Sequence, residues 1–297
     1  MKMKTNRYIY PYFGNIELIG FRIGGAGLGN LLFCLSRALC LSNKYNLQLI
    51  NPTWPSIKFG PWLRNEKDKR SYIGLFKPIG ISGFNKYISI LYHKKISENE
   101  YDPTYFNGYV LLISGLGNYF QDFKHEHSYI KGQLLNMMSD HTKHSFNNFK
   151  GFGVGIHLRL GDFTNSNRIK TYWHQSIIMK IMNKFHKDIP VYLFTDGKDD
   201  EPEVKDILKI RNSVKINLGN PLAEIFALSK CAVILASNST FSAWASFIGQ
   251  NPTIWNKRDK ELEGINLNDT IFNGIIYENE EFPDQLTKNL TDIFSER

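Results

Sequence analysis

Apolar positions follow two rhythms along the chain, short continuous runs and longer stretches of helical period. In the second half, Gly153–Leu160, Val191–Thr195, Val214–Ile216, Ala232–Ala236 and Thr253–Trp255 read as strands. Tyr172–Phe185, Glu203–Ile210, Pro221–Ser229 and Thr240–Gly249 read as helices between them, with Pro221 in a first turn, where proline is favoured. Strands that are apolar throughout, instead of alternating, predict burial on both faces and so a parallel sheet between helical layers. In the first half the pattern predicts a strand over Glu17–Ile23, a helix over Asn30–Tyr45, and strands over Leu47–Ile50 and Val110–Ser114. A helix is predicted over Phe123–Phe146. Between Pro52 and Phe106 no period is sustained, and an irregular stretch with short helices is expected. The fold class is α/β. A break near Asn147–Gly151 divides the chain into 1–150 and 151–297, two Rossmann-like halves with parallel sheets.

With 42% hydrophobic and 14% aromatic residues the 297-residue chain can build a core, which excludes disorder. No apolar run reaches the roughly 18 residues of a membrane-spanning helix. Met1–Asn15 carries basic residues with no apolar run after them, so no signal peptide is expected. Cys34, Cys40 and Cys231 match neither a zinc spacing nor a disulfide framework, and a cytoplasmic location is expected. Lys plus Arg outnumber Asp plus Glu by 36 to 28, a net charge of +8 that favours anionic partners. No nucleic-acid motif accompanies it, and the only basic cluster is the short Lys67–Arg70 patch; a nucleic-acid partner is not expected.

Four segments at strand ends could carry chemistry. Gly24–Asn30 places glycines between a strand and a helix, where backbone can approach an anion, or else forms a tight turn with Asn30 as helix cap. Its spacing is neither a P-loop nor a dinucleotide fingerprint. In Ile156–Phe163, strand alternation puts His157 and Arg159 on one face. An Arg at the tip of a buried strand needs an anion, either a ligand diphosphate or a neighbouring carboxylate such as Asp162. Phe194–Gly197 ends on Asp196, a ligand carboxylate or an Asx turn; Asp196, Asp199 and Asp200 lack the Asp-x-Asp metal spacing. Ser237–Ser242 opens a helix with a run of small polar residues, an anion cradle or ordinary capping.

In this order the segments resemble glycosyltransferase family 11, the inverting α-1,2-fucosyltransferases. The match rests on Gly27–Phe33, Gly117–Gln121, His157–Asp162, Phe194–Asp196 and Ser237–Trp244. Leu160 stands where the family has a second Arg, and Ala243 where it has an aromatic residue. The resemblance implies a GT-B-like fold with two halves facing a cleft, residues 1–150 on the acceptor side and 151–297 on the donor side. It implies transfer of L-fucose from GDP-β-L-fucose to a galactose 2-hydroxyl, with inversion and with neither metal nor other cofactor. It places His157 and Asp196 near the guanine, and Gly29 and Asn30 near the phosphates or the fucose.

Departing GDP gains negative charge that must be bound more tightly than the intact donor. Arg159 and the helix start at Asn238, Ser239 and Thr240 are the groups suited to it, and Asp162 is the candidate base for the acceptor proton. Trp54, Trp62, Tyr72, Phe76 and Tyr105 are either sugar-stacking aromatics or core. The loop Thr164–Thr171 is either a closing flap or plain surface. The expected acceptor is a glycan or lipid-linked oligosaccharide of a bacterial surface polysaccharide, and the positive charge suits peripheral contact with the inner face of an anionic membrane. Two other readings remain open: a same-fold transferase using another nucleotide sugar, and a non-catalytic glycan- or nucleotide-binding protein.

Overall fold

The structure, a computed structural model, describes residues 7–14, 16–63, 69–102, 108–161, 169–185, 188–259, 262, 265 and 267–295. The chain divides into two compact units, Met1–Phe59 with Arg70–Ser139, and Gly60–Lys69 with Asp140–Arg297.

The elements up to the end of the first unit are β1 (Arg7–Pro11), β2 (Ile16–Leu18), β3 (Phe21–Ile23), α1 (Leu28–Tyr45), β4 (Gln48–Leu49), β5 (Ser56–Ile57), α2 (Phe59–Leu63), α3 (Gly83–Tyr92), β6 (Lys94–Ser97), β7 (Tyr109–Ile113) and α4 (His127–Met137). The main sheet of the first unit is parallel throughout, in the order β4-β1-β7-β6. Its strand β1 lies in the basic N-terminal stretch, where no strand was expected. The pentapeptide Arg-Tyr-Ile-Tyr-Pro is short but holds the strand-favouring run Tyr-Ile-Tyr, and β1 lies between two partner strands with Ile9 and Tyr10 buried. The single strand expected over Glu17–Ile23 is a hairpin instead, β2 against β3, with β5 parallel to β3 in a separate small sheet. The α1 helix, buried through Leu31, Leu32, Leu35 and Ala38, ends at Asn46 in the left-handed conformation. The helix expected over Phe123–Phe146 breaks at Met138, whose extended backbone bridges to Phe76.

The second unit follows with α5 (Asp140–Asn147), β8 (Val154–Leu158), α6 (Thr171–Phe185), β9 (Val191–Thr195), α7 (Pro202–Leu208), β10 (Ser213–Lys215), α8 (Pro221–Leu228), β11 (Val233–Ala236), α9 (Thr240–Gly249), β12 (Thr253–Trp255), β13 (Asn273–Ile275) and α10 (Asp284–Ser295). Its sheet is parallel with order β10-β9-β8-β11-β12-β13. The chain therefore leaves β8 in one direction through β9 and β10, then returns to the other side for β11. This is the doubly wound order, and its reversal between β8 and β11 opens a crevice at the strands' carboxyl ends.

Alternation along β8 sorts the two faces. Val154, Ile156, Leu158 and Leu160 join the core beneath α6, α7 and α10. Gly155 and His157 face α8 and α9. A side chain at Gly155 would come within 2.6 Å of Leu228 Cδ1 and 2.7 Å of Cys231 Sγ, so glycine lets α8 pack close to the strand.

Candidate active site

The site is built at the β8–β11 reversal. The Ser237 hydroxyl, just past β11, donates to the His157 carbonyl (2.5 Å) and accepts from the Arg159 N–H (3.3 Å). One buried hydroxyl thus joins two strand tips where the regular ladder stops. Beyond β8, the Leu160 and Gly161 N–H groups both donate to Asp196 Oδ1, at 2.8 and 3.1 Å. Asp196 at the tip of β9 therefore fixes the chain on the other side of Arg159. The local turn at Asp196 is made by Thr195, whose hydroxyl accepts the Gly197 N–H (3.0 Å).

Leu158 and Leu160 are fully buried on the α6 face, so alternation sends Arg159 to the face of His157. His157 is buried there, its Nδ1 2.7 Å from Ser242 Oγ and its ring stacked on Phe241 at 4.4 Å. Burial pushes the His157 pKa well down, Asp196 opposes that, and the Arg159 charge adds to it. The imidazole is consequently neutral at pH 7.

The start of α9 completes the site. Ser239 is its N-cap residue in extended conformation, yet its side chain makes no capping bond. Its hydroxyl is buried without a hydrogen-bond partner, and the residue is only 8% exposed. The first turn of α9 contains no acidic residue, so nothing within that turn offsets the positive end of the helix dipole. Asn238 works locally: its Oδ1 accepts the Asp259 N–H (3.0 Å) and holds the loop after β12. Thr240, half-buried, is the first helical residue. Ordinary side-chain capping thus does not account for the run Ser237–Ser242. Asn220, by contrast, does cap its helix, accepting the Ala223 N–H at 2.7 Å.

In the first unit, Gly24 and Gly25 take φ of 76° and 104°, conformations that exclude most side chains. Lys58 Nζ donates to the Ala26 carbonyl (2.5 Å) and holds this turn from beneath. Gly27, not Asn30, is the N-cap of α1; Gly29 is buried and Asn30 lies half-buried in the first turn. Of the candidate stacking aromatics, Trp54 and Tyr72 are buried and belong to the core, and Trp54 stacks at 4.0 Å on the half-buried Phe76. Trp62 is 63% exposed. Asp162, Tyr105 and residues 164–168 of the candidate flap lie outside the described residues.

The structure thus brings together Arg159, His157, Asp196, Asn238, Ser239 and Thr240 in the second unit. Gly29 and Asn30 belong to the first. Sequence reasoning missed the roles of Ser237, Phe241 and Ser242. The polarity of the two serines was visible, but His157, which all three meet, lies 80 or so residues away and only tertiary contact reveals it.

The family model for glycosyl transferase family 11 matches residues 84–264, more than half of the chain. The chain belongs to glycosyl transferase family 11. Of the segments that carry the resemblance, Gly117–Gln121, His157–Asp162, Phe194–Asp196 and Ser237–Trp244 lie inside the matched span, and Gly27–Phe33 lies before it. No curated protein matches this family 11 chain. Among solved structures, the fucosyltransferase NodZ from Bradyrhizobium aligns with a TM-score of 0.53 and 14% identity, covering 84% of this chain and 95% of NodZ. NodZ α-1,6-fucosyltransferase co-crystallised with GDP aligns at 0.51 and 13% identity, covering 82% and 92%. An Arabidopsis thaliana FUT1 variant in complex with GDP aligns at 0.51 and 11%, covering 90% and 74%. At these identities the likeness is one of fold, the GT-B-like α/β class with parallel sheets.

A second histidine gives the family 11 chain a pH signature. His174 on α6 is fully buried, and burial pushes its pKa down to about 3, opposed in part by the Lys170 backbone. In the unfolded chain it titrates near about 6.5. The stabilising contribution is complete above that value and is lost as pH falls toward the folded pKa, because the unfolded state takes up the proton first. Lowering pH from 7 to 5 is expected to cost about 2 kcal/mol for each such buried histidine. Denaturant unfolding at the two pH values should show His174→Gln losing about 2 kcal/mol less than the parent. Equal losses would remove His174 from the account.

Proposed function

We propose that this family 11 chain transfers L-fucose from GDP-β-L-fucose to the 2-hydroxyl of a galactoside, with inversion. The observation that carries this reading is the buried Ser239 hydroxyl, unpartnered at the acid-free start of α9 and beside the strand tip that bears Arg159. A buried hydroxyl without a partner costs free energy unless a ligand completes it. The helix N-terminus and a guanidinium together suit a diphosphate. GDP is present in the NodZ and Arabidopsis complexes of the same fold, which favours GDP as the nucleotide here.

In this reading the second unit holds the donor and the first the acceptor. Arg159, Ser239 and Thr240 bind the diphosphate and stabilise it as the sugar–oxygen bond breaks. His157 and Asp196 shape the guanine end, with Asn238 bracing the neighbouring loop. Gly29 and Asn30 take the role the resemblance gives them, toward the phosphates or the fucose. The acceptor oxygen attacks the sugar carbon as GDP departs, and its proton passes to Asp162. Because Arg159 and the helix start carry the leaving-group charge, turnover needs no metal. A bacterial surface polysaccharide, free or lipid-linked, is the acceptor class that fits.

A transferase using a different nucleotide sugar is the second reading, and Leu160 favours it. Where the family has a second Arg, this chain buries a leucine in the core on the face away from Arg159. A panel of nucleotide sugars with a galactoside acceptor, read by nucleotide release, decides between them. GDP-fucose should be the donor turned over, at a rate unchanged by EDTA. Turnover of another donor alone would establish the second reading, and binding without turnover a non-catalytic role.

A further inference from the structure

Two neighbouring elements of the first unit are folded with their polarity reversed. In α3, Lys86 and Ser89 are buried, while Phe84, Leu91 and Tyr92 are 78–82% exposed. Positions 84, 88, 91 and 92 lie on one helical face, so the apolar stripe of α3 points outward. The β2–β3 hairpin does the same. Glu17 pairs across the ladder with Arg22, and both turn inward, leaving Ile16, Leu18 and Phe21 exposed.

The reversal is built in, and the polar groups it buries are bonded. Lys86 Nζ lies 2.8 Å from Glu17 Oε1 and donates to Thr53; Tyr10 and Thr53 donate to the same carboxylate. The hairpin turn is tied to α3 by the Gly20 N–H, which donates to Tyr87 OH at 2.6 Å. An ion-paired interior under an apolar exterior inverts the usual order of a soluble surface, where exposed apolar residues are scattered.

Charge indicates what covers this face. From residue 70 to residue 97 the sequence has no Asp or Glu, and of its bases Lys86 is buried and taken up by Glu17. Lys94 and Lys95 follow directly on α3 and are exposed. A second copy of the chain would set like charges against one another. An anionic bilayer supplies an apolar layer for the outward stripe and phosphates for the lysines at its edge.

We propose that α3 and the β2–β3 hairpin form an interfacial membrane-binding face, which seats the first unit on an anionic lipid surface. This does not rest on the identity of the donor sugar. It explains how an enzyme without a spanning helix among its described residues would meet a lipid-linked acceptor.

The test is flotation of the full chain with vesicles of phosphatidylcholine alone or mixed equally with phosphatidylglycerol. Binding should favour the anionic vesicles. The double variant Lys94→Glu, Lys95→Glu should weaken it by more than about tenfold, since one lysine near such a surface contributes about fivefold. Phe84→Ser with Leu91→Ser should abolish binding that survives high salt. Both variants should keep the melting temperature and the rate on a soluble galactoside. Equal binding to both vesicle types, no binding, or variants that bind like the parent would overturn the proposal. So would a dimer dissolved by the serine variant without any vesicle binding, which would make the face a self-association surface. Vesicle binding needs no nucleotide sugar, so its failure and that of the donor reading are separable.

Discussion

Arg159→Ala is expected to lower turnover with GDP-fucose by about 10³-fold or more, the range for removing a cation or donor aimed at developing charge. The backbone of residue 159 is held independently of its side chain, through Ser237 on one side and the Asp196 bonds to Leu160 and Gly161 on the other. The truncated variant should therefore fold normally, and circular dichroism and melting should match the parent. The loss should fall mainly on kcat, because the guanidinium is worth most when GDP carries its full charge. Arg159→Lys keeps the charge but not the planar fork, and should recover only part of the rate. With Leu160 in place of a second Arg, the next position along the chain supplies no cation. Turnover within a few-fold of the parent in Arg159→Ala would refute the assignment.

Asp196→Ala is expected to cost about 10²-fold in kcat, a loss like that from misplacing a reacting group by about 1 Å, together with about 1–3 kcal/mol of stability. The reason is mechanical. One carboxylate oxygen accepts both the Leu160 and Gly161 N–H groups, and removing it frees the turn that follows Arg159. Asp196→Asn separates this from contact with the donor, because an amide oxygen can accept the same two bonds. If the asparagine variant is stable and active while alanine is neither, Asp196 works by positioning. If asparagine is stable but loses affinity for GDP, measured by calorimetry, the second oxygen meets the nucleotide. A stable, fully active alanine variant would show that the turn needs no such anchor.

Much of the second unit was legible because its strands are buried on both faces. Ala232–Ala236 and Val191–Thr195 are apolar enough that no other placement suits them, and both were found within a residue of their limits. The α10 helix was missed although Leu286, Leu290, Ile293 and Phe294 carry its spacing. Asn273–Ile275 offered no strand signal; it becomes a strand only because the edge of β12 is there to pair with it. The first unit was harder for a definite reason. β1 is short and carries Arg and Pro, and α3 and the hairpin turn their apolar residues outward, so hydrophobicity there gives the wrong inward face.

The amino-acid order by itself determined the parallel-sheet class and which strand ends bear polar side chains, since both depend on local composition and period. It also determined the family, through segments spaced along the chain. It could not determine that the tips of β8 and β11 lie side by side, because that follows from the doubly wound return of the chain past β9 and β10. Nor could it show which hydroxyls are already bonded. Ser237 is consumed in joining two strands, Ser242 in holding His157, and Ser239 alone of the three is left buried without a partner. Hydrogen-bond satisfaction is a property of the packed molecule, which the order of residues does not fix.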